Sequence, residues 1–403
     1  MLKKITNIGT ICTWSVEDNK VVYYQNKEIL VDNGLIIEIM DQSDSKNNSF
    51  KGELIDAKGA FITPGFIDSH THPIFYSNRS KEFHQRSIGL SYQEIAKKGG
   101  GILSSINNLR KCSEEDLYNY CLKHINYFLG YGTTTVEAKS GYGLNLDDEL
   151  KSLRVIKRLN KESKLDLIPT FMGAHAFPPE YSNSHGKYID LVCDEMIPKI
   201  SEEKLAVFCD VFCEKNYFTY TQSKKILNTA KEYGLHPRLH ADEFEDSGAA
   251  ELAAEVKAVS ADHLMAASIS GLSAMAKSKV LATILPGTTF YLGKTDFVSY
   301  KKIADAKCEV VIATDFNPGS CTIQSMPFII LLATLYCGMD IEIAFKASTY
   351  NAAKSILKDK EIGLIKKNYN ADLVFWDIDS LDEIAYWGSS DRIINVIKSG
   401  NLV

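Results

Sequence analysis

An alternation in the middle of the chain constrains the fold most. Short apolar segments at 65–68, 133–138, 167–172, 206–212, 237–240, 258–261, 280–285 and 310–313 have strand length and composition. Between most of them run charged amphipathic stretches such as 113–129, 146–159, 222–233 and 247–255. Ser113 and Asp147 are candidate helix caps. Eight strands joined by helical crossovers predict a parallel (β/α)8 barrel. An open doubly wound sheet would usually carry a glycine-rich phosphate loop after its first strand. Neither GxGxxG nor GxxxxGK(S/T) occurs, and Gly99-Gly100-Gly101 follows no strand, so it reads as a flexible loop.

The two ends differ from the middle. Residues 29–31 and 35–40 flank Asp32-Asn33-Gly34, a hairpin signal because Asn-Gly tolerates positive φ. Residues 41–51 read as a polar loop, 364–376 as another strand pair, and 393–397 with 402–403 as further β structure. The ends therefore predict one small β-domain, 1–60 plus 360–403, beside a catalytic barrel at 61–359. Forty-five Lys and Arg against 51 Asp and Glu leave a net charge of −6, which argues against a nucleic-acid partner. No apolar run reaches the roughly 18 residues of a membrane span. Met1-Leu2-Lys3-Lys4-Ile5 leads into no signal-peptide core. Nine cysteines without a CxxC pair suit reduced thiols, so a cytoplasmic location is expected.

The strongest chemical signal is Asp68-Ser69-His70-Thr71-His72 after the first barrel segment. Residues two apart on a strand share a face, so His70 and His72 can aim at one point. His175, His240 and His263 also fall at or just after strand ends, as does Asp315. A lone histidine there is usually structural. Five of nine histidines converging on the C-terminal face of a barrel are not easily scatter. His70, His72, His240 and Asp315 form a candidate metal set whose mixed imidazole and carboxylate donors suit Zn or Fe better than Mg or Ca. Glu243, three residues past His240, is placed to move a proton to a substrate nitrogen; Asp242, Glu245 and Asp246 fit better as helix N-terminal acids. Arg79 is either a carboxylate grip or a solvated loop residue. Tyr142 between Gly141 and Gly143 is placed to close over a ligand or simply to pack. The turn Asp315-Phe316-Asn317-Pro318-Gly319-Ser320 offers backbone NH groups to an anion. No GxSxG elbow supports serine chemistry.

At these residues the chain resembles the metal-dependent amidohydrolase superfamily. Residues 63–72 look like its first-strand motif, and 370–377 like its C-terminal return to a small β-domain. The fold class so implied is α/β, a distorted (β/α)8 TIM-like barrel with a small β-sandwich domain built from both chain ends. Residues 136–143, 171–175, 240–244 and 313–320, with Gly99-Gly100-Gly101-Ile102, resemble the imidazolonepropionase family within it. One departure is Ser77-Asn78, which stands where a glycine is expected before Arg79. The resemblance implies hydrolysis of 4-imidazolone-5-propanoate to N-formimidoyl-L-glutamate, the third step of histidine degradation. It implies one divalent or trivalent metal ion per subunit, Zn or Fe, since residues 209–214 carry no lysine to bridge two ions. It implies Asp315, His263 and Glu243 as proton-moving or charge-stabilising groups, in an order the pattern leaves open. Arg79, Tyr92, Tyr142, His175, Glu243, Asn317, Gly319 and Ser320 would hold the substrate, and the subunits would pair as a homodimer. A deaminase of the same superfamily is the nearest rival, and a non-catalytic relative the more distant one.

Overall fold

The computed structural model describes residues 1–42, 50–90, 94–95 and 99–403; Tyr92 and most of the 41–51 segment lie outside the described residues. Seven strands come first: β1 (Lys3–Thr6), β2 (Thr10–Ser15), β3 (Lys20–Gln25), β4 (Lys27–Asp32), β5 (Leu35–Asp41), β6 (Glu53–Asp56) and β7 (Phe61–Pro64). The next eight are β8 (Phe66–Asp68), β9 (Thr133–Lys139), β10 (Asp166–Ala174), β11 (Phe208–Cys213), β12 (His236–Ala241), β13 (Ser260–His263), β14 (Leu281–Ile284) and β15 (Val310–Ile312). The last are β16 (Leu373–Trp376), β17 (Ile393–Lys398) and β18 (Asn401–Leu402).

Strands β8 to β15 pair in sequence order as one parallel sheet of eight, the predicted (β/α)8 barrel. Its first and last strands meet at their C-terminal ends. Thr71 bridges Phe316, the Asp315 NH donates to the His70 carbonyl at 3.1 Å, and the His72 NH donates to the Phe316 carbonyl at 2.8 Å. Asp68 closes the same seam with its carboxylate, which accepts from the Thr314 NH and hydroxyl. Burial pushes that carboxyl up to about 7, against the Thr314 bonds. The residues that shut the barrel thus bracket the residues expected to carry its chemistry.

The remaining strands form two sheets, ordered β5-β4-β1-β6 and β18-β17-β16-β7-β2-β3. Ile5, Ile29 and Ile36 from the first and Ile11, Ile62, Leu373, Phe375 and Ile397 from the second share one buried cluster, the core of a β-sandwich made by both chain ends. The expected hairpin forms, with Asn33 and Gly34 at φ 48° and 83°. Because β7 pairs with β2 and β16, we place the start of the barrel at Gly65, slightly beyond the expected 60/61 division. Lys398 ties the two units together, contacting Asp372 at 2.7 Å and Asp166 at the start of β10 at 2.6 Å.

Three local expectations need correction. Of 364–376, only β16 is a strand, because the chain turns at Asn368, whose φ is 71°. Helix Leu146–Glu162 is capped by Asn145, whose side chain accepts from the Asp148 NH, and Asp147 lies inside its first turn; Ser113 does cap Glu114–Gly130. Helix Ala249–Glu255 begins only after Gly248, held at φ 71°. All nine cysteines are free thiols and eight are buried. Among the described residues, no helix is long and apolar enough to cross a membrane.

The Asp68 seam yields a test. Thr314→Val conserves volume but leaves the Asp68 carboxylate and the Phe316 NH without their hydroxyl partner. Urea unfolding of the metal-free protein should show a loss of about 1–3 kcal/mol. A change below about 0.5 kcal/mol, the size of a neutral surface substitution, would mean the hydroxyl does not hold the seam.

Candidate active site

The C-terminal ends of the barrel strands surround a cavity of about 520 Å³. His72, Arg79, Tyr142, His175, His240, Glu243, His263, Asp315, Asn317, Gly319 and Ser320 line it, and His70 lies fully buried beneath. Every described residue expected to hold metal or substrate or to move a proton is therefore in the cavity wall or directly under it. His70 and His72 stand just past the end of β8, on either side of Thr71, whose bridge to Phe316 extends the seam; position at or just after a strand end likewise accounts for His240, His263 and Asp315.

The imidazoles converge closely. His72 Nε2 lies 3.2 Å from His240 Nε2, and Asp315 Oδ1 lies 3.6 Å from His70 Nε2 and 3.5 Å from His72 Nε2. Two of the rings are oriented from behind by carboxylates: His70 Nδ1 meets Asp262 Oδ2 at 2.7 Å, and His240 Nδ1 meets Asp210 Oδ1 at 3.0 Å. Thr288 holds the other oxygen of Asp315 at 2.6 Å. Burial holds all three imidazoles well below their ordinary pKa, helped by Lys139 at His70, His175 at His72 and His263 at His240. They are neutral donors, as metal ligation requires. Buried His70 Nε2 has no hydrogen-bond partner among the described residues. An orphaned donor nitrogen beside a carboxylate fits a cation. His70, His72 and Asp315 offer ligand atoms within 4.8 Å of one another, as do His70, His240 and His263.

Around this centre the acids divide by environment. The Asp242 carboxylate accepts from the NH groups of Ser247, Ala249 and Ala250, so it is the acid at the start of helix Ala249–Glu255. Glu245 is engaged by Lys215. Glu243 instead faces the cavity, 3.8 Å from His263 Nε2. Burial, then the Asp315 charge, push its carboxyl up to about 8. Burial likewise pushes Asp315 up to about 7, and takes His175 and His263 down to about 4. His263 and Asp315 sit at φ 78° and 55°, backbone strain of the kind that collects at functional sites.

The outer wall carries Arg79, Arg86 and Lys294 together with Glu82. Arg79 Nε donates to Glu82 at 2.8 Å, and Glu82 in turn accepts from the Gly101 NH. The guanidinium lies so close to Gly319 that a Cβ there would fall 2.1 Å from Arg79 Nη1. Arg79 is thus a seated cavity residue, not a solvated loop residue. Gly99-Gly100-Gly101 is tied to it through Glu82. The turn after β15 departs from expectation. The Gly319 and Ser320 NH groups both donate to Asn317 Oδ1, and Asn317 Nδ2 donates to the Asp315 carbonyl and Ser320 Oγ. Those NH groups are spent inside the turn and do not form an anion nest; Asn317 shapes the wall.

Several site residues escaped the sequence reading. Arg86 lines the cavity from helix Ser80–Ser87, and Phe212, Tyr217 and Lys294 from a strand end and loops, an approach no spacing reveals. Asp210 and Asp262 stand two strands apart and meet the imidazoles only through the barrel. Glu137 and Lys139, two apart on otherwise uncharged β9, carried a usable signal: alternation points both to one face.

The profile of the amidohydrolase family matches residues 61–403. An imidazolonepropionase of Clostridium tetani is 44% identical over 96% of this chain and 92% of its own. One of Shouchella clausii is 45% identical over 89% of this chain and 80% of its own. In three dimensions, 5-methylcytosine deaminase from Klebsiella pneumoniae superposes with a TM-score of 0.75 at 17% identity, covering 99% of this chain and 97% of that one, a likeness of fold alone.

The loop that presents Tyr142 gives a prediction. Glu149, fully buried, accepts from the NH groups of Gly141, Gly143 and Leu144. Glu149→Gln replaces one acceptor oxygen by a donor facing donors. Amide exchange at those three positions should accelerate by at least about tenfold, about 1.4 kcal/mol of local stability, while helix Leu146–Glu162 stays protected. Unchanged exchange would show that the carboxylate does not order the loop.

Proposed function

The chain belongs to the amidohydrolase family and, within it, to the imidazolonepropionases, and from that premise we propose how its cavity hydrolyses 4-imidazolone-5-propanoate to N-formimidoyl-L-glutamate in histidine degradation. The observation that carries the reading is the meeting of His70, His72 and His240 with Asp315 at the barrel mouth, with Glu243 beside them, its carboxyl pushed up to about 8 by burial. Members of this family are generally metal-dependent, and these His and Asp donors could hold an ion. We assign His70, His72, His240 and Asp315 as ligands of one Zn or Fe ion. When bound, such an ion supplies a water whose pKa is lowered towards about 7.

The chain's own residues supply the rest. The substrate ring is a cyclic amide: water adds to its carbonyl carbon, the ring C–N bond breaks, and the departing nitrogen takes up a proton. Asp315, whose Oδ1 faces His70 and His72 and whose Oδ2 accepts from Thr288, takes up the proton of the attacking water. His263 stabilises the oxyanion that develops on the carbonyl. Glu243, held in its acid form by burial, protonates the leaving nitrogen. Arg79 and Tyr142 receive the propanoate carboxylate, with Tyr92 assigned to the same task. His175 contacts the ring or carboxylate, Ser320 offers its hydroxyl, and Asn317 and Gly319 shape the wall and seat Arg79. Mildly acidic charge favours a small-molecule substrate over nucleic acid, and a cytoplasmic homodimer completes the proposal.

The test is a coupled absorbance assay in which urocanase generates the imidazolone in the cuvette. Purified protein should accelerate its decay, lose this on chelation and regain it with one metal. No acceleration by folded, metal-loaded protein, or release of ammonia in its place, overturns the reading. His72→Ala should remove bound metal and activity together. Glu243→Gln should keep the metal and lower kcat by about 10²–10⁴-fold. Since only the acid form donates, wild-type activity should fall as pH rises through the Glu243 pKa, and Glu243→Gln should remove that limb. Arg79→Ala should raise KM at least about tenfold with metal content unchanged, about 1.4 kcal/mol of lost carboxylate binding.

A further inference from the structure

Beneath the imidazoles lies a buried charged layer that the reaction chemistry leaves unexplained. Lys139 on β9 is fully buried, its Nζ 2.8 Å from Glu137 Oε1 and 2.9 Å from Asp210 Oδ2. Arg238 on β12 is equally buried and donates to the Ser355 carbonyl at 2.6 Å, the Ser69 carbonyl at 2.8 Å and Asp262 Oδ2 at 3.3 Å. Asp210 and Asp262 are the carboxylates that orient His240 and His70. Their ligand atoms and one from His70 lie within 4.8 Å of one another, an arrangement suited to a cation behind the site. Of these three groups, the Lys139 ammonium pairs with Asp210.

Burying an ammonium in a barrel interior is costly, and an apolar side chain would often serve packing as well. Burial works against the charge of Lys139, but Asp210 and Glu137 outweigh it and hold its pKa above the usual lysine value. Asp210 divides its oxygens between two partners, Oδ2 on the Lys139 ammonium and Oδ1 on His240 Nδ1. Without the ammonium, the carboxylate would be free to turn from His240 Nδ1, the contact that aims Nε2 at the cavity.

We propose that Lys139 is a positioning residue whose ammonium holds Asp210 aimed at His240 Nδ1 and so presents His240 Nε2 to a single ion. This rests on the assignment of His240 as a ligand. Glu137 completes the pair on the other side of the ammonium, and its other oxygen accepts from the Thr71 NH between the two first-strand histidines.

The experiment titrates metal-stripped full-length protein with Zn²⁺ alone against a chromophoric chelator. Wild type should take up one tight equivalent. Lys139→Met should weaken Zn²⁺ binding by about 10–100-fold, the usual effect of losing a group behind a metal ligand, with the circular dichroism of the metal-free protein unchanged. Asp210→Asn should weaken it similarly, and adding Lys139→Met to Asp210→Asn should cost nothing further, because the lysine acts through that carboxylate. Should Lys139→Met alone not fold, the double variant removes both charges of the pair and is compared with Asp210→Asn: equal affinities support the proposal, and a further tenfold loss overturns it. Full affinity in Lys139→Met, or the same loss in both backgrounds, overturns it as well. Failure of the wild type to bind Zn²⁺ sinks the ligand assignment instead, and the two failures are told apart in one titration.

Discussion

Two carboxylates behind two imidazoles set the terms for the rest of the site. Asp262 at His70 Nδ1 and Asp210 at His240 Nδ1 leave the Nε2 atoms as the nitrogens that face the cavity. In a neutral imidazole one nitrogen donates and the other accepts, so fixing the first decides the second. Both carboxylates are fully buried and therefore need compensation. Lys139, two strands from Asp210, and Arg238, on the strand next to Asp262, supply it. The barrel is not merely a frame for the histidines, because its inward-facing charges determine how the rings stand.

The same economy of buried acceptors shapes the cavity wall. Asp68 shuts the seam between the first and last strands, Glu149 gathers the backbone of the Tyr142 loop, Asp242 starts a helix, and the Asn317 amide builds the turn that seats Arg79. Each satisfies backbone NH groups that a loop at a barrel rim would otherwise leave unpaired. Polar residues near an active site therefore have two separable tasks. Those that saturate backbone hold shape. Those without such partners, His70 Nε2 and Glu243 among them, are left for chemistry. The contrast between Asp242 and Glu243, adjacent in sequence, is the clearest case.

Most of the barrel was legible before any coordinates, because strand and helix announce themselves by different hydrophobic periods, and all eight strands fall where those periods change. His70, His72, His240, His263 and Asp315 were legible for a related reason: position at a strand's C-terminal end assigns a residue to one face of a barrel whatever its distant neighbours are. The motifs of residues 63–72, 136–143 and 313–320 added the family. The misread places are those where a turn or cap intervened, as at Asn368 and Asn145. Local polarity marks such a place as irregular but does not say which side chain takes which NH.

What the sequence determined by itself, then, is the alternation that makes the barrel, the return of the chain end to a sandwich, and the donor types at the strand tips. Tertiary structure alone decided which nitrogen of each ring faces inward, that Asn317 spends its amide on its own turn, and that Arg79 rests on Gly319. It also brought Lys139 from β9 against Asp210 from β11. The physical reason is range. Periodicity and strand-end position are properties of a few consecutive residues, whereas a hydrogen-bond partner is set by geometry at the level of a few ångströms between segments far apart in the chain, and no local pattern encodes that distance.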